Sequence, residues 1–242
     1  MSWIARTFAA LSLGLAAATH GDSGSWMLKA GTHVYPYSGG DPAKLSPHVV
    51  VYLPAAFEGT RSPLIVSLHG SGNRGNDPEM LKSNLILKYA AAHPGFAFAV
   101  AIPQAPAEAK SFDAEAIDAL LTELLRQLPV DPDRVYLTGN SMGGIGAWNV
   151  ATRYPQRYAA LAPVSSKPDV ARACEVGRLP VWAFHNAEDK LFAVEHVSRA
   201  IDRIAECGGN AKLTVYPRTG HDAWSETYAN PALYEWLAAQ RR

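Results

Sequence analysis

The chain has 242 residues, of which 48% are hydrophobic and 18% charged, enough for one large α/β domain with a deep core. Its 22 Lys and Arg residues balance its 22 Asp and Glu residues. With no net charge, the protein has no overall electrostatic attraction for nucleic acid or for an anionic membrane. A small, uncharged or weakly charged substrate fits this balance better.

The first 18 residues have the pattern of a secretory signal peptide. Arg6 is the only charged side chain of a short leading region, an apolar run covers residues 8–18, and small residues allow cleavage near Ala18. The alternative is a ragged, Ala-rich terminal helix. The run is too short for a stable membrane anchor, so we expect a secreted or periplasmic protein. Residues 19–47 are rich in Gly, Ser and aromatics, and we expect an irregular lead-in there.

From residue 48 to residue 242, β-type and helix-type stretches alternate, which predicts a single domain. The predicted strands cover residues 48–53, 64–68, 96–102, 134–138, 159–164, 179–184 and 212–216. The predicted helices cover residues 79–92, 114–128, 142–153, 193–206 and 231–240. This alternation predicts an α/β fold with a mostly parallel sheet and helices on both faces. The longest insertions, residues 105–111 and 165–177, are too short for a large lid.

A candidate nucleophile lies between a predicted strand and a predicted helix, in Gly139-Asn140-Ser141-Met142-Gly143. In such a turn small residues must flank the Ser, whose hydroxyl then stands clear at the carboxyl edge of the sheet. The alternative is a Gly-rich turn with a capping serine. The position between strand and helix favours the nucleophile.

A second Gly-rich loop, residues 69–75, follows another predicted strand. In a serine hydrolase this loop and the residue after the nucleophile supply the two N–H groups of an oxyanion hole, which we assign to Ser71 and Met142. We expect His69 to hold the loop as a structural residue. The same loop matches a dinucleotide fingerprint, Gly70-x-Gly72-x-x-Gly75, but the next strand does not end in the acidic residue that a ribose requires.

The general base should follow the nucleophile in the chain and lie after a strand. His221 meets both conditions, whereas His196 falls within a predicted helix. The acid should end the preceding strand, where Glu188 and Asp189 compete. We favour Asp189, because its shorter side chain can hold the Nδ1–H of His221. Asp222 adjoins His221 and is expected to cap the loop instead.

Two cysteines, Cys174 and Cys207, precede predicted strands at the edge opposite the candidate site. A disulfide between them is compatible with export, and two buried free thiols are the alternative. The carboxylates are scattered and there is no His-Glu-x-x-His motif, so we expect no metal site and no cofactor.

These motifs resemble the α/β-hydrolase superfamily, and within it the compact, lidless bacterial carboxylesterases, feruloyl and acetylxylan esterases and polyhydroxybutyrate depolymerases. The resemblance rests on residues 131–144, 180–185 and 216–224. It implies a triad of Ser141, Asp189 and His221.

The chain departs from this group at two positions. Asn186 replaces a usual Gly in the acid turn, where it would have to tolerate a left-handed conformation. Asn140 replaces an apolar residue or His beside the nucleophile. We assign Asn140 and Trp224 to the rim of the substrate site; for Trp224 the alternative is that its ring only packs the last loop.

The function expected from these residues is that of a serine carboxylic-ester hydrolase acting on short-chain, aromatic or polymer-linked esters. The alternatives are a secreted serine peptidase of the same fold and a non-catalytic binding protein. The expected partner is the small-molecule or polymer-linked ester alone, without nucleic acid, and the sequence leaves the oligomeric state open.

Overall fold

The computed structural model describes residues 29–37, 39–57 and 60–242. Within them the chain forms eight strands. They are β1 (Gly31–Pro36), β2 (His48–Leu53), β3 (Ser62–Leu68), β4 (Ala99–Pro103), β5 (Val130–Asn140), β6 (Ala160–Val164), β7 (Val181–Glu188) and β8 (Ala211–Thr219). One sheet contains them all, in the order β1-β2-β4-β3-β5-β6-β7-β8.

The sheet is parallel from β4 to β8, and β1 and β2 add an antiparallel edge. Parallel strands need a crossover connection, and helices supply it. The helices are α1 (Leu85–Ala92), α2 (Ala114–Gln127), α3 (Met142–Arg153), α4 (Val194–Glu206), α5 (Trp224–Ala229) and α6 (Pro231–Ala238). No helix in the described part of the chain is long and apolar enough to cross a membrane.

Two hydrophobic cores lie on opposite faces of the sheet. Along β3, Leu64 and Val66 pack into the core that α2, α3 and α4 cover, whereas Ile65 between them packs into the core that α1, α5 and α6 cover. Every residue of β3 is buried, as expected for a strand with helices on both faces. The predicted α/β fold class is therefore confirmed, and no large lid covers the carboxyl edge within the described residues.

The predicted helix over residues 79–92 is divided at Asn84. A 3-10 turn, Pro78–Ser83, comes first, and α1 begins only at Leu85. Asn84 has an extended ψ of 136°, and its side-chain oxygen accepts a hydrogen bond from the N–H of Ile86 at 2.9 Å. Asn favours such a capping position over a helix interior. The helical spacing of apolar residues in the sequence continues on both sides of Asn84, so it did not reveal that a new helix begins there.

The expected irregular lead-in over residues 19–47 contains a strand. Residues 31–36 form β1, which pairs antiparallel with β2 from Gly31 opposite Leu53 to Pro36 opposite His48. This edge strand is mostly solvent-exposed, so its backbone pairing with β2 defines it and no apolar run marks it in the sequence. The expected signal peptide, residues 1–18, lies outside the described residues.

Cys174 and Cys207 form a disulfide, with 5.9 Å between their Cα atoms. Cys174 lies in a 3-10 turn, Val170–Val176, before β7, and Cys207 directly follows α4. The bond therefore ties two connections at the edge where the parallel strands begin, opposite the edge that carries Ser141.

Candidate active site

Ser141 occupies a sharp turn between β5 and α3. Its backbone has a positive φ of 53° with a ψ of −119°, a strained conformation for a residue with a side chain. A Cβ atom on Gly139 would overlap the carbonyl group of Gly143, and one on Gly143 would overlap that of Leu68. The turn can therefore form only because both flanking residues lack a side chain.

The structure brings Ser141, His221 and Asp189 together at the carboxyl edge of the sheet. His221 Nε2 lies 2.8 Å from Ser141 Oγ, and His221 Nδ1 lies 2.7 Å from Asp189 Oδ2. An ionised carboxylate only accepts hydrogen bonds, so Nδ1–H of His221 donates to Asp189. The bare Nε2 then accepts the hydroxyl proton of Ser141, which is the arrangement of a nucleophile with its general base.

Asp189 follows β7, and its carboxylate is fully buried. Its Oδ1 accepts hydrogen bonds from the N–H groups of Leu191 at 2.9 Å and Phe192 at 3.1 Å. Burial raises the pKa of Asp189, but the hydrogen bonds from His221, Phe192 and Leu191 outweigh burial and hold it below the usual value. Asp189 is therefore ionised at neutral pH.

The competing acidic residues are placed elsewhere. Glu188 is the last residue of β7, and its side chain is exposed. Asp222 caps the start of α5, where its carboxylate accepts hydrogen bonds from the N–H of Ser225 at 2.9 Å and its hydroxyl at 2.7 Å. Neither carboxylate is hydrogen-bonded to His221.

Two aromatic side chains flank the imidazole of His221. The rings of Phe192 and Trp224 each lie 5.2 Å from it, centroid to centroid, at interplanar angles of 82° and 86°. Such edge-to-face contacts restrict rotation of the ring without occupying its nitrogen atoms.

The loop that follows β3 passes beside Ser141. A Cβ atom on Gly70 would lie 3.8 Å from the Cβ of Ser141. Ser71 begins a 3-10 turn, Ser71–Asn73, and Met142 is the first residue of α3, so neither N–H has an acceptor within its own helical turn. Both N–H groups therefore lack a helical acceptor, which an oxyanion hole would require of them.

His69 holds this loop through both ring nitrogens. Nε2 accepts a hydrogen bond from the N–H of Ala105 at 3.0 Å, so Nδ1 carries the proton and donates to the carbonyl of Gly70 at 2.7 Å. The ring is 4% exposed, and this burial lowers the pKa of His69 to about 4. His69 is a neutral structural residue at pH 7.

Gln104, which the sequence analysis did not single out, supports the same loop from the end of β4. Its fully buried amide donates to the carbonyls of Asn73 at 2.9 Å and Asp77 at 3.1 Å. The neighbouring Ala105 carbonyl accepts from the N–H of Gly75 at 2.9 Å. The position of the loop is thus set by the adjacent strand rather than by the loop alone.

A pocket of about 210 Å³ is lined by Asn140, the residue before Ser141. Asn140 and Trp224, the two residues assigned to the rim, both line it, together with His69, Asn73 and Asn84. Apolar side chains, among them Met80 and Leu85, complete the wall. No Asp, Glu, Lys or Arg side chain lines the pocket, so it suits a neutral group.

Two further residues bind the loop after β8 that carries His221, here called the base loop, to the sheet. Ser165, at the end of β6, has a positive φ of 44°, and its hydroxyl accepts a hydrogen bond from the N–H of Ala223 at 3.3 Å. Asn186 does not adopt the expected left-handed conformation, since it continues β7. Its side-chain amide instead donates to the carbonyl of Gly220 at 3.0 Å.

The described residues contain no group of three or more His, Cys, Asp or Glu side chains arranged to hold a metal ion.

The mostly parallel sheet, with a strained Ser turn, a buried acid and a histidine each following a different strand, defines an α/β-hydrolase. Residues 101–240 match the model of the dienelactone hydrolase family. The chain belongs to that family.

Curated relatives and solved structures agree with this assignment. A bifunctional acetylxylan esterase/xylanase from Neocallimastix patriciarum is 26% identical over 197 residues, which cover 77% of this chain and 27% of that protein. The chain spans less than half the length of the curated relatives it matches. The crystal structure of a thermostable esterase is 26% identical with a TM-score of 0.71, covering 87% of this chain and 63% of that one. Esterase PE8, 22% identical with a TM-score of 0.58 over 81% and 97% of the two chains, shares the fold.

Proposed function

We propose that the protein is a serine hydrolase of carboxylic esters. The observation that carries the proposal is the continuous hydrogen-bonded series from Ser141 Oγ through His221 to Asp189 Oδ2, with distances of 2.8 and 2.7 Å. Membership of the dienelactone hydrolase family and the esterase relatives support ester hydrolysis as the reaction.

In the proposed mechanism, Ser141 Oγ attacks the ester carbonyl carbon while His221 Nε2 takes the hydroxyl proton. The oxyanion of the tetrahedral intermediate accepts hydrogen bonds from the N–H groups of Ser71 and Met142. The intermediate collapses as His221 returns the proton to the leaving alcohol. Water, activated by His221 in the same way, then hydrolyses the acyl-enzyme and regenerates Ser141.

Asp189 does not exchange a proton in this mechanism. Its buried, ionised carboxylate holds His221 in the Nδ1–H tautomer and stabilises the imidazolium that forms in each transition state. The lowered pKa of Asp189 keeps the carboxylate charged throughout the neutral range.

The substrates proposed are short-chain, aromatic or polymer-linked esters. The pocket of about 210 Å³ that Asn140 lines suits a small acyl or aryl group rather than a long lipid chain. Its uncharged lining favours a neutral ester. The described residues leave the carboxyl edge without a large lid, so a polymer chain has access to Ser141.

The test is hydrolysis of p-nitrophenyl esters of increasing acyl length, with a parallel panel of p-nitroanilide amides, by wild type, Ser141→Ala and Ser198→Ala. We expect turnover of short-chain esters by wild type and by Ser198→Ala, a control on the surface of α4. Loss of the nucleophile should lower kcat by roughly 10⁶-fold, as in other serine hydrolases. Ester turnover by Ser141→Ala would refute the mechanism, and preference for the amides would replace the esterase with a peptidase.

A further inference from the structure

We propose that His185 is a positioning residue for the acid and base of this site, through a hydrogen bond to Phe192 and a close polar contact with Asp189. The inference rests on the proposed function, in which Asp189 orients His221. His185 lies in β7, four residues before Asp189, and no step of the mechanism above uses it.

The protonation of His185 follows from its contacts. Its Nε2 lies 2.8 Å from the carbonyl oxygen of Phe192 and 3.2 Å from Asp189 Oδ2. Both partners only accept hydrogen bonds, so Nε2 carries the hydrogen, which it donates to the carbonyl of Phe192 while the N–H lies in electrostatic contact with Asp189 Oδ2. Nδ1 is buried without a partner among the described residues, which leaves it unprotonated. His185 is therefore a neutral donor, and burial, which lowers the pKa of His185, favours that state.

The first consequence concerns the carboxylate of Asp189. Its Oδ2 faces two imidazole N–H groups, from His221 and His185, while its Oδ1 accepts from the backbone N–H groups of Leu191 and Phe192. Three hydrogen-bond donors and the nearby N–H of His185 surround a side chain with no exposed surface, which restricts the carboxylate to one orientation. Without His185, Oδ2 loses its second polar neighbour and Phe192 loses a hydrogen bond, so the carboxylate can turn away from the base.

The second consequence concerns the ring of Phe192. The same Nε2–H that faces Asp189 binds the backbone carbonyl of Phe192, whose ring lies edge-to-face against His221 at 5.2 Å. His185 thus holds both the hydrogen-bond acceptor of His221 and one of its two aromatic neighbours. A single buried imidazole, which does not itself contact Ser141, links the two features that orient the base.

The test compares His185→Phe, which keeps a ring of similar size without a donor, with His185→Gln, whose amide N–H can reach the same acceptors. His196→Phe is the matched control, because His196 lies on α4 and its ring contacts neither Asp189 nor His221. Four quantities are measured: kcat and KM for p-nitrophenyl acetate, the rate at which an organophosphate labels Ser141, and the low-field proton resonance of His221 Nδ1–H. Urea unfolding of each variant identifies those that remain folded under the assay conditions.

We expect His185→Phe to lower kcat and the labelling rate together, between about tenfold and about 100-fold, with KM within about twofold of wild type. The low-field resonance should be lost in His185→Phe and retained in His185→Gln, which should also recover most of kcat. His196→Phe should match wild type. If His185→Phe does not fold, the comparison uses His185→Gln and His185→Asn, whose shorter amide should behave as the deficient variant.

Two results would overturn the inference. One is a folded His185→Phe variant with wild-type kcat, labelling rate and His221 resonance. The other is an equal loss of kcat in His185→Phe and His185→Gln, because the donor would then be irrelevant. Failure of the organophosphate to label Ser141 in the wild type would instead refute the proposed serine mechanism, so the two failures are distinguishable.

Discussion

Among the residues of the site, His69 makes both of its hydrogen bonds only as a neutral ring. Nε2 of His69 accepts from a backbone N–H, and a proton on that nitrogen would abolish the bond. His185 is neutral because burial disfavours its charge. The site therefore contains one imidazole, that of His69, whose protonation would break a hydrogen bond, and a second, that of His185, whose charge burial disfavours, beside His221, which must gain and lose a proton in the proposed mechanism.

The stability of the protein should fall as the pH drops from about 6.5 to about 4. Burial lowers the pKa of His69 to about 4, whereas an unfolded chain has the ordinary value near 6.5, so between these values the unfolded state binds more protons. The contribution of His69 is complete above about pH 6.5 and lost as the pH falls through about 4. It amounts to roughly 3 kcal/mol at most.

Urea unfolding of wild type, His69→Gln and His196→Gln at several pH values between 7 and 4 measures this effect. The variant His69→Gln should be less stable at pH 7 and should lose less free energy of unfolding on acidification. The control His196→Gln changes a half-exposed residue of α4 and should keep the wild-type dependence of the free energy of unfolding on pH. If the free energy of unfolding of wild type and of His69→Gln depended on pH in the same way, the assignment of a neutral, buried His69 would be contradicted.

At the scale of elements, the loop after β3 is held by its neighbour β4. Gln104 and Ala105, directly after β4, make three of the hydrogen bonds that hold the loop, to Asn73, Gly75 and Asp77. The Ser71 N–H proposed to stabilise the oxyanion belongs to this loop. Its position relative to Ser141 consequently depends on the parallel pairing of β3 with β4 and β5.

Replacing Gln104 with Leu should therefore lower kcat through the loop. The carbonyls of Asn73 and Asp77 would lose their donor, at a cost of about 1–3 kcal/mol in the free energy of unfolding. A displaced oxyanion donor should reduce kcat by about tenfold or more, with a smaller change in KM. Steady-state kinetics on p-nitrophenyl acetate measure this, with Gln156→Leu, an exposed residue near the opposite edge, as the control. An unchanged kcat in Gln104→Leu would show that the loop keeps its position without this support.

The disulfide between Cys174 and Cys207 joins the 3-10 turn before β7 to the end of α4. It closes a loop of 33 residues, for which removal should cost about 2–4 kcal/mol of stability. Because the bond lies at the edge where the strands begin, the double substitution Cys174→Ser/Cys207→Ser should leave kcat unchanged. Urea unfolding and ester hydrolysis with and without a reductant test both statements. A large loss of kcat in the folded double variant would contradict the expectation that the disulfide, at the edge where the strands begin, does not affect the site at the carboxyl edge.

For the whole molecule, the leader pattern over residues 1–18 and the disulfide both indicate an oxidising compartment outside the cytoplasm. We therefore expect export and cleavage near Ala18. Intact-mass spectrometry of the protein recovered from its native host should find a chain that begins shortly after Ala18. A mature protein that retains Met1 or Ser2 would refute this prediction.

The positions of the candidate site residues were predictable because their signals are local. The Gly residues around Ser141 are required by the steric limits of one turn, and the strand that precedes each of Ser141, Asp189 and His221 appears in the sequence as a short apolar run. In a parallel sheet those strand ends share one edge, so the order of the residues along the chain was enough to bring them together.

The tertiary structure alone decided the supporting contacts. The pairing of His185 with Asp189, of Gln104 with the loop after β3, and of Ser165 with the base loop depends on which strands are neighbours and on the direction of each side chain. The division of the predicted helix at Asn84 and the pairing of β1 with β2 were likewise absent from the sequence pattern. Periodicity records which residues are buried, whereas hydrogen bonds between residues distant in the chain are established only when the sheet has assembled.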